Sequence, residues 1–416
     1  MKTTVVKINI ETACPECDLT IEKAVAEENQ KIKCPRCKCC ISNIVKSPDS
    51  SLFAYSLSAL IMMAASLSYS FLSFSSSGQK VEMNFIQTID SLILYGYYGL
   101  ASLLVLTLFV LPLLYLLGIV YLSGSLILNK KPCFAKEILN LLKYAKNWLM
   151  VDVFLIGVLV SLVKIMSMAE VGFGLSFWAF VLFSIFLVKT VSISNFLWLW
   201  TKFDTGLKKI EVKKGSTAKQ NNFILCENCG KLNLNSKQEC TRCGFKIRLR
   251  SDPQLEKVMA YLITAIMLYI PANALPIMST SILGQEEPST ILGGVFLLWE
   301  IKSYFVSIVV FIASIVIPLT KIFSIGWLIY SVKRGRLMRP AQKMKLYRIT
   351  EYIGKWSMID VFVVAILVAL IQVEGLIAIY PGGAVTAFSL VVILTMLSAN
   401  SFDPRLLWDK KEHKGN

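Results

Sequence analysis

The residues of this chain that could do chemistry are few and fall into two sets. The first set is cysteine. Cys14-Pro15-Glu16-Cys17 and Cys34-Pro35-Arg36-Cys37 lie near the start, and Cys226-Glu227-Asn228-Cys229-Gly230 and Cys240-Thr241-Arg242-Cys243-Gly244 follow mid-chain. Two CxxC knuckles at such a separation suit a tetrahedral four-thiolate site, with zinc the first choice of metal. The residues between them are poor in apolar sequence, so the ion would supply much of each ribbon's folding free energy. Eight of the eleven cysteines fall in these pairs, which points to metal in a reducing compartment rather than to disulfides. A redox dithiol is the competing reading, and Cys39 and Cys40 are placed to replace a ligand. Gly230 and Gly244 let the knuckle backbone take positive φ while its amides face sulfur.

The second set consists of polar groups inside apolar stretches. Lys321 lies three residues past Pro318 within the stretch 303–332. A lysine at that depth costs about 2.5–3.5 kcal/mol on insertion, so it should face a helix bundle and be paired, unless it snorkels to the helix end. Ser314 is seven residues earlier on the same face. Ser357 and Asp360 share a face of the next stretch, and Asp360 is placed to neutralise Lys321. Thr395 stands in the last stretch. Serine and threonine in helices often bond their own i−4 carbonyl, so Ser314 and Thr395 carry weight only as members of a cluster. The first half of the chain offers Asp152, but Tyr115 where the second has Lys321. Both aspartates also read as carboxylates favoured by a helix N-terminus. No P-loop, dinucleotide fingerprint, nucleophile elbow or HExxH motif occurs, so no enzyme is expected. One histidine, His413 in the polar tail, excludes intramembrane histidine ligation of haem.

These residues must be positioned by membrane helices. The chain has 416 residues, 55% of them hydrophobic, and reads as a polytopic membrane protein. Its first forty residues lack an apolar h-region, so no signal peptide is expected. Apolar spans are expected at 52–74, 97–128, 147–168 and 173–200, and again at 257–279, 303–332, 356–379 and 384–402. The second exceeds a bilayer thickness and should tilt, and Pro112 should kink it. An amphipathic piece around Phe85–Leu94 should lie at the opposite membrane surface. Segments 147–165 and 355–373, laid in register, share eight of nineteen residues, including Trp148/Trp356 and Asp152/Asp360. Pro318 falls where Pro112 does. The chain is therefore a tandem duplication of a ribbon plus four spans. The net charge of +16 concentrates in loops 129–147, 201–256 and 333–355 and in the tail, which points away from nucleic acid. With all eight spans crossing, every basic loop falls on one side, placing both ribbons and both termini in the cytoplasm. The repeat axis should lie along the membrane normal.

The chain resembles the paraquat-inducible protein A family. The residues that carry the resemblance are the paired ribbons, Cys14-Pro15-Glu16-Cys17-Asp18-Leu19, Pro271-Ala272-Asn273-Ala274-Leu275-Pro276, Trp356-Ser357-Met358-Ile359-Asp360-Val361-Phe362, and Ser401-Phe402-Asp403-Pro404-Arg405-Leu406-Leu407-Trp408-Asp409. It implies a bacterial inner-membrane protein working with a homo-oligomeric periplasmic MCE-domain partner that carries lipid between membranes. The first half lacks a PANxLP segment and the Asp-Pro-Arg at its end, so the second half is the better candidate for the working site. The expected architecture is all-α and polytopic. It comprises a ribbon over 1–47, a four-helix unit over 50–205, a second ribbon over 221–250 and a second four-helix unit over 255–409, with two structural zinc ions. The expected function is non-enzymatic passage of membrane lipids to or from the MCE partner, with coupling to proton movement through Lys321 and Asp360 as a further expectation. The alternatives are a cysteine-based redox or stress sensor and a purely structural anchor for the partner.

Overall fold

The computed structural model describes residues 12–21, 30–76, 79–94, 96, 98–165, 170–203, 215–247, 252–282, 285–300, 302, 304–334, 340–359, 361–363, 366, 372–373 and 377–409. Ribbon 1 is two antiparallel pairs, β1 (Thr12–Ala13) with β2 (Thr20–Ile21) and β3 (Lys31–Lys33) with β4 (Cys40–Asn43). The first bundle follows. It contains α1 (Pro48–Ser68), α2 (Phe85–Leu94), α3 (Tyr98–Val105), α4 (Leu111–Ile127), α5 (Ala135–Lys146), α6 (Val151–Ile165), α7 (Leu175–Ile193) and α8 (Phe196–Phe203). Ribbon 2 carries β8 (Phe223–Leu225) and β9 (Leu232–Leu234). The second bundle repeats the order with α9 (Asp252–Ala274), α10 (Ile291–Glu300), α11 (Tyr304–Phe311), α12 (Ile317–Arg334), α13 (Pro340–Trp356) and α14 (Ala384–Ser401). Among the described residues, seven helices are long and apolar enough to cross a membrane. Much of the expected span 356–379 lies outside the described residues.

Three spans are shorter than hydropathy suggests, because each runs into a strand or a break. α1 ends at Ser68 and is followed by β5 (Leu72–Ser76), which pairs with β6 (Gln79–Met83) and β7 (Glu170–Phe173). In the second half, β10 (Met278–Ile282) pairs with β11 (Gln285–Ser289) and β13 (Ile377–Pro381), and β13 with β12 (Gln372–Val373). The span expected over 173–200 breaks between Ile193 and Phe196. The strand segments Leu-Ser-Phe-Ser and Met-Ser-Thr-Ser alternate with a period of two, and pairing satisfies their backbone where a helix could not continue into water. Both sheets stand at the helix ends opposite the ribbons. Each is joined to its last helix by a glycine with no room for a side chain. A Cβ on Gly174 would lie 2.0 Å from the Ser70 carbonyl, and one on Gly382 2.0 Å from the Pro276 carbonyl.

Pro112 and Pro318 act through a widened turn just before each of them. Leu106–Val110 and Ile312–Val316 are π-helical, with the Leu111 N–H donating to the Leu106 carbonyl and the Ile317 N–H to the Ile312 carbonyl. A proline that cannot donate leaves a carbonyl free one turn back, and the extra residue in the turn absorbs the mismatch.

One apolar core runs across the two bundles, and a second cluster packs α9, α12 and α14 of the second bundle. The rings of Phe154 and Phe362 meet edge to face at 5.5 Å across the interface. Gly157 lets α6 approach, since even a Cβ there would stand 3.3 Å from that of Phe362. Large apolar side chains such as Leu117, Trp178, Ile270 and Phe323 remain exposed on the outer faces of the spans, as lipid-facing positions require.

Candidate functional site: two thiol clusters and a buried lysine

Each ribbon gathers its four cysteines into one buried cluster. The Sγ atoms of Cys14, Cys17, Cys34 and Cys37 all lie within 4.8 Å of one another, as do those of Cys226, Cys229, Cys240 and Cys243. The shortest separations, Cys14 to Cys37 at 3.4 Å and Cys17 to Cys34, Cys226 to Cys243 and Cys229 to Cys240 at 3.5 Å, are non-bonded. Four soft donors converging on one point, shielded from water, form a site able to hold a metal ion. All four knuckles close in the same way. The N–H of the residue after the second cysteine donates to the carbonyl of the first, in Asp18, Lys38, Gly230 and Gly244 alike. Those four residues have φ of 62°, 60°, 70° and 69°, so glycine meets the demand in ribbon 2 and non-glycine residues bear it in ribbon 1. Amides face sulfur, with Asn233 Nδ2 and Arg242 N donating to Cys240 Sγ at 3.4 and 3.5 Å. Hydrogen bonds from Cys226 and then Cys229 lower Cys240 below the ordinary thiol range, and the same two donors lower Cys243 to about 7. The same sharing raises Cys229, first through its hydrogen bond with Cys226, so the set titrates as a unit. Cys39 and Cys40 lie outside the four-sulfur set, with Cys40 exposed.

Each ribbon makes a matching set of contacts with the other half of the chain, and ribbon 1 is also held to the first half, where Asn195 Nδ2 donates to Ser42 Oγ at 2.9 Å. In ribbon 1, Arg36 stacks over the Trp408 ring at 4.4 Å. In ribbon 2, Arg242 lies over the Trp200 ring at 5.5 Å and donates to the Trp200 carbonyl. Arg348 of α13 donates to both Glu16 carboxylate oxygens and, at 2.8 Å, to the Cys37 carbonyl. Its counterpart on α5, Asn140, donates to the Cys243 carbonyl at 3.3 Å and accepts from Asn228. Arg348 stands to Cys37 as Asn140 stands to Cys243, and Trp408 to Arg36 as Trp200 to Arg242. The ribbons also touch each other, with Thr12 Oγ1 donating to the Gly230 carbonyl at 2.7 Å. Arg405, buried in the turn after α14, is chelated by Asp403 and reaches Glu227 of ribbon 2 at 3.0 Å.

The polar groups within the bundles behave differently from one another. Lys321 is 2% exposed. Its Nζ donates to Ser357 Oγ at 2.6 Å and to the Gly354 carbonyl at 2.9 Å, bridging α12 to the end of α13. The lysine is thus held inside the bundle. Ser314 is buried in the π turn before Pro318. Thr395 is buried and donates to its own Val392 carbonyl at 2.9 Å, as isolated helix hydroxyls do. The structure brings Lys321 and Ser357 into contact. Asp152 is exposed on the first turn of α6 and takes no part in the Lys321 hydrogen bonds. Asp360, expected as the lysine's counter-ion, lies outside the described residues. In the first half, Tyr115 is buried and bonds Ser194 at 2.7 Å, a neutral pair where the second half holds a cation.

Sequence reasoning missed the docking residues Arg36, Arg242, Arg348, Asn140, Asp403 and Arg405. A usable signal was present: an arginine before the last cysteine of each ribbon, and a tryptophan closing each bundle.

The fold and site define a polytopic helical membrane protein of two duplicated bundles, each carrying a four-cysteine ribbon. A family model described as paraquat-inducible protein A matches residues 50–204 and 255–412. The chain belongs to the paraquat-inducible protein A family. It is 36% identical over 400 residues to the intermembrane transport protein PqiA of Escherichia coli K12, covering 96% of this chain and 95% of that one. It is 29% identical to the lipophilic envelope-spanning tunnel protein A of the same strain, covering 96% and 91% of the two chains. To a probable intermembrane transport protein of Haemophilus influenzae it is 28% identical, with 95% of each chain covered. No solved structure matches it.

Proposed function

We propose that this protein is the inner-membrane component of an MCE-type lipid transport system, passing lipid between the inner membrane and a periplasm-spanning MCE-domain partner. The observation that carries this reading is near end-to-end similarity to proteins named for intermembrane transport and for an envelope-spanning tunnel. Membrane-crossing helices with lipid-facing apolar surfaces support it. The ribbons and both termini lie in the cytoplasm and the two small sheets in the periplasm, a reading the charge of the loops supports. Zinc is the ion that the clusters hold, because four thiolates in a closed tetrahedral set suit a structural zinc site. The protein carries out no bond chemistry of its own. Proton movement through Lys321 and Asp360 supplies the coupling. The burial of Lys321 against the Ser357 hydroxyl and the Gly354 carbonyl supports this reading, because a lysine within an apolar span is costly to keep.

Purification in native lipid, followed by mass spectrometry of what comes with the chain, tests the reading. Bound phospholipid and an MCE-domain protein are expected together. Recovery of neither would sink it. Lipid flux lost in a Lys321→Met chain that still holds its partner separates a transporter from a structural anchor.

A further inference from the structure

Helix α13 lies between ribbon 1 and α12 and makes polar contacts with each through different faces. Toward α12, Lys343 Nζ donates to the Ser331 carbonyl at 3.4 Å, and the Gly354 carbonyl accepts from Lys321 Nζ at 2.9 Å. Ser357, directly after the helix, accepts from the same ammonium at 2.6 Å. With 3.6 residues per turn, Lys343 and Gly354 fall on one side of the helix and Arg348 well away from both. Arg348 turns to ribbon 1, where its Nε donates to both Glu16 carboxylate oxygens at 3.1 Å and its Nη2 to the Cys37 carbonyl at 2.8 Å. A charge-assisted contact with several bonds fixes direction as well as distance. Cys37 is a member of the first thiol cluster.

The two tethers of α13 act on different parts of it. Lys343 ties its beginning to α12. Arg348 ties to the ribbon the part that carries the acceptors of Lys321, standing about 9 Å along the axis before Gly354. The lysine stem lies close to bare backbone there, since a Cβ on Gly354 would stand 3.7 Å from Lys321 Cε. A helix is stiff over two turns, so a shift at Arg348 is carried to Gly354 and Ser357. The first half is built differently. Asn140 of α5 reaches the Cys243 carbonyl with a neutral side chain, and Tyr115 bonds Ser194, after α7, instead of a group on α5.

We infer that Arg348 is a positioning residue for Lys321: by seating α13 on ribbon 1 it fixes the two oxygen acceptors that hold the ammonium. The first thiol cluster is thereby coupled to the lysine, because the Cys37 carbonyl moves with its knuckle. The consequence for transport rests on the proposed role of Lys321, whereas the positioning does not.

The test treats the full chain in detergent with a small amine-acetylating reagent and follows Lys321 by peptide mass spectrometry. That rate reads access to the lysine and involves no lipid. Arg348→Ala should raise it at least threefold over wild type, whereas Arg348→Lys, which keeps a cation against Glu16, should stay within threefold. Asn140→Ala, which loosens ribbon 2 at the matching place, should also stay within threefold. Should Arg348→Ala fail to fold, Glu16→Gln removes the carboxylate charge, keeps the bond to the Cys37 carbonyl, and should still raise the rate at least twofold. A smaller rise in the variant that folds overturns the inference, as does an equal rise in the Asn140→Ala chain, which would mark general loosening. If Lys321→Met transports normally while Arg348→Ala exposes Lys321, the transport role falls and the positioning stands.

Discussion

Lys321 illustrates how a costly residue earns its place. Its ammonium is removed from both water and lipid and given two oxygen partners. Exchanging a whole buried charge pair for well-packed apolar side chains is often neutral for stability, whereas removing one member strands the other. Lys321→Met together with Asp360→Leu should therefore fold with a thermal midpoint close to wild type, while lipid transport falls at least tenfold. Transport within twofold of wild type would remove the lysine from the mechanism. The Asp403–Arg405 pair predicts the opposite balance. Both side chains are nearly inaccessible, and Asp403→Ala leaves the guanidinium with Glu227 as its one ion-pair partner among the described residues. Breaking such a pair costs about 3–5 kcal/mol, to be read as a large drop in the detergent melting temperature, and Asn195→Ala at the matching place in the first half should cost far less. The depth and burial of Lys321 were legible in its position after Pro318, because charge within an apolar stretch is a strong local signal. The Arg405 chelate was not: Asp403-Pro404-Arg405 stood out in the sequence as part of the motif that carries the family resemblance, but nothing in it showed that the two side chains pair with each other and with Glu227.

At the scale of elements, the ribbons and the helices were legible for different reasons. CxxC spacing fixes a knuckle whatever surrounds it, and apolar runs of bilayer length fix spans. The small sheets were hidden because their strands are short and join helix ends from distant parts of the chain, such as Ser73 with Gly172. The ribbon clusters lead to a direct expectation. Cys226→Ser should lower bound metal from two equivalents per chain to about one, because a four-thiolate site reduced to three is weakened and its ribbon has little other core. Elemental analysis of purified protein checks this, and two full equivalents in the variant would assign the metal elsewhere. Trp408→Ala removes the ring under Arg36 and should cost about 0.5–2 kcal/mol. That loss should be seen as faster chelator extraction of metal from ribbon 1 than from ribbon 2.

For the whole molecule, the duplication visible in the sequence extends to details that sequence comparison could not reach. Paired π turns, paired sheet-joining glycines and paired ribbon contacts recur in both halves, yet the cation is present in only one. The proposed topology rests on the charge of the loops. Cysteines introduced at positions 131, 237 and 345 should be labelled only from the ribbon side, and those at 80 and 287 only from the other. One basic loop labelled from the sheet side would break the arrangement.

The exchange of ribbons between halves also fixes an order of assembly. Ribbon 2 finds Asn140 and Trp200 already synthesised when it emerges, with Asn140 only 88 residues upstream of Asn228. Ribbon 1 is made first, but Glu16 must wait for Arg348, 332 residues later, and Arg36 for Trp408 close to the end of the chain. Ribbon 1, made before either, is thus among the last parts to have all its contacts in place. In a chain cut short before Trp408 it keeps its bonds to Asn195, Ser216 and Gly230 but loses the ring under Arg36, and should be cleaved faster by protease than in the longer chain.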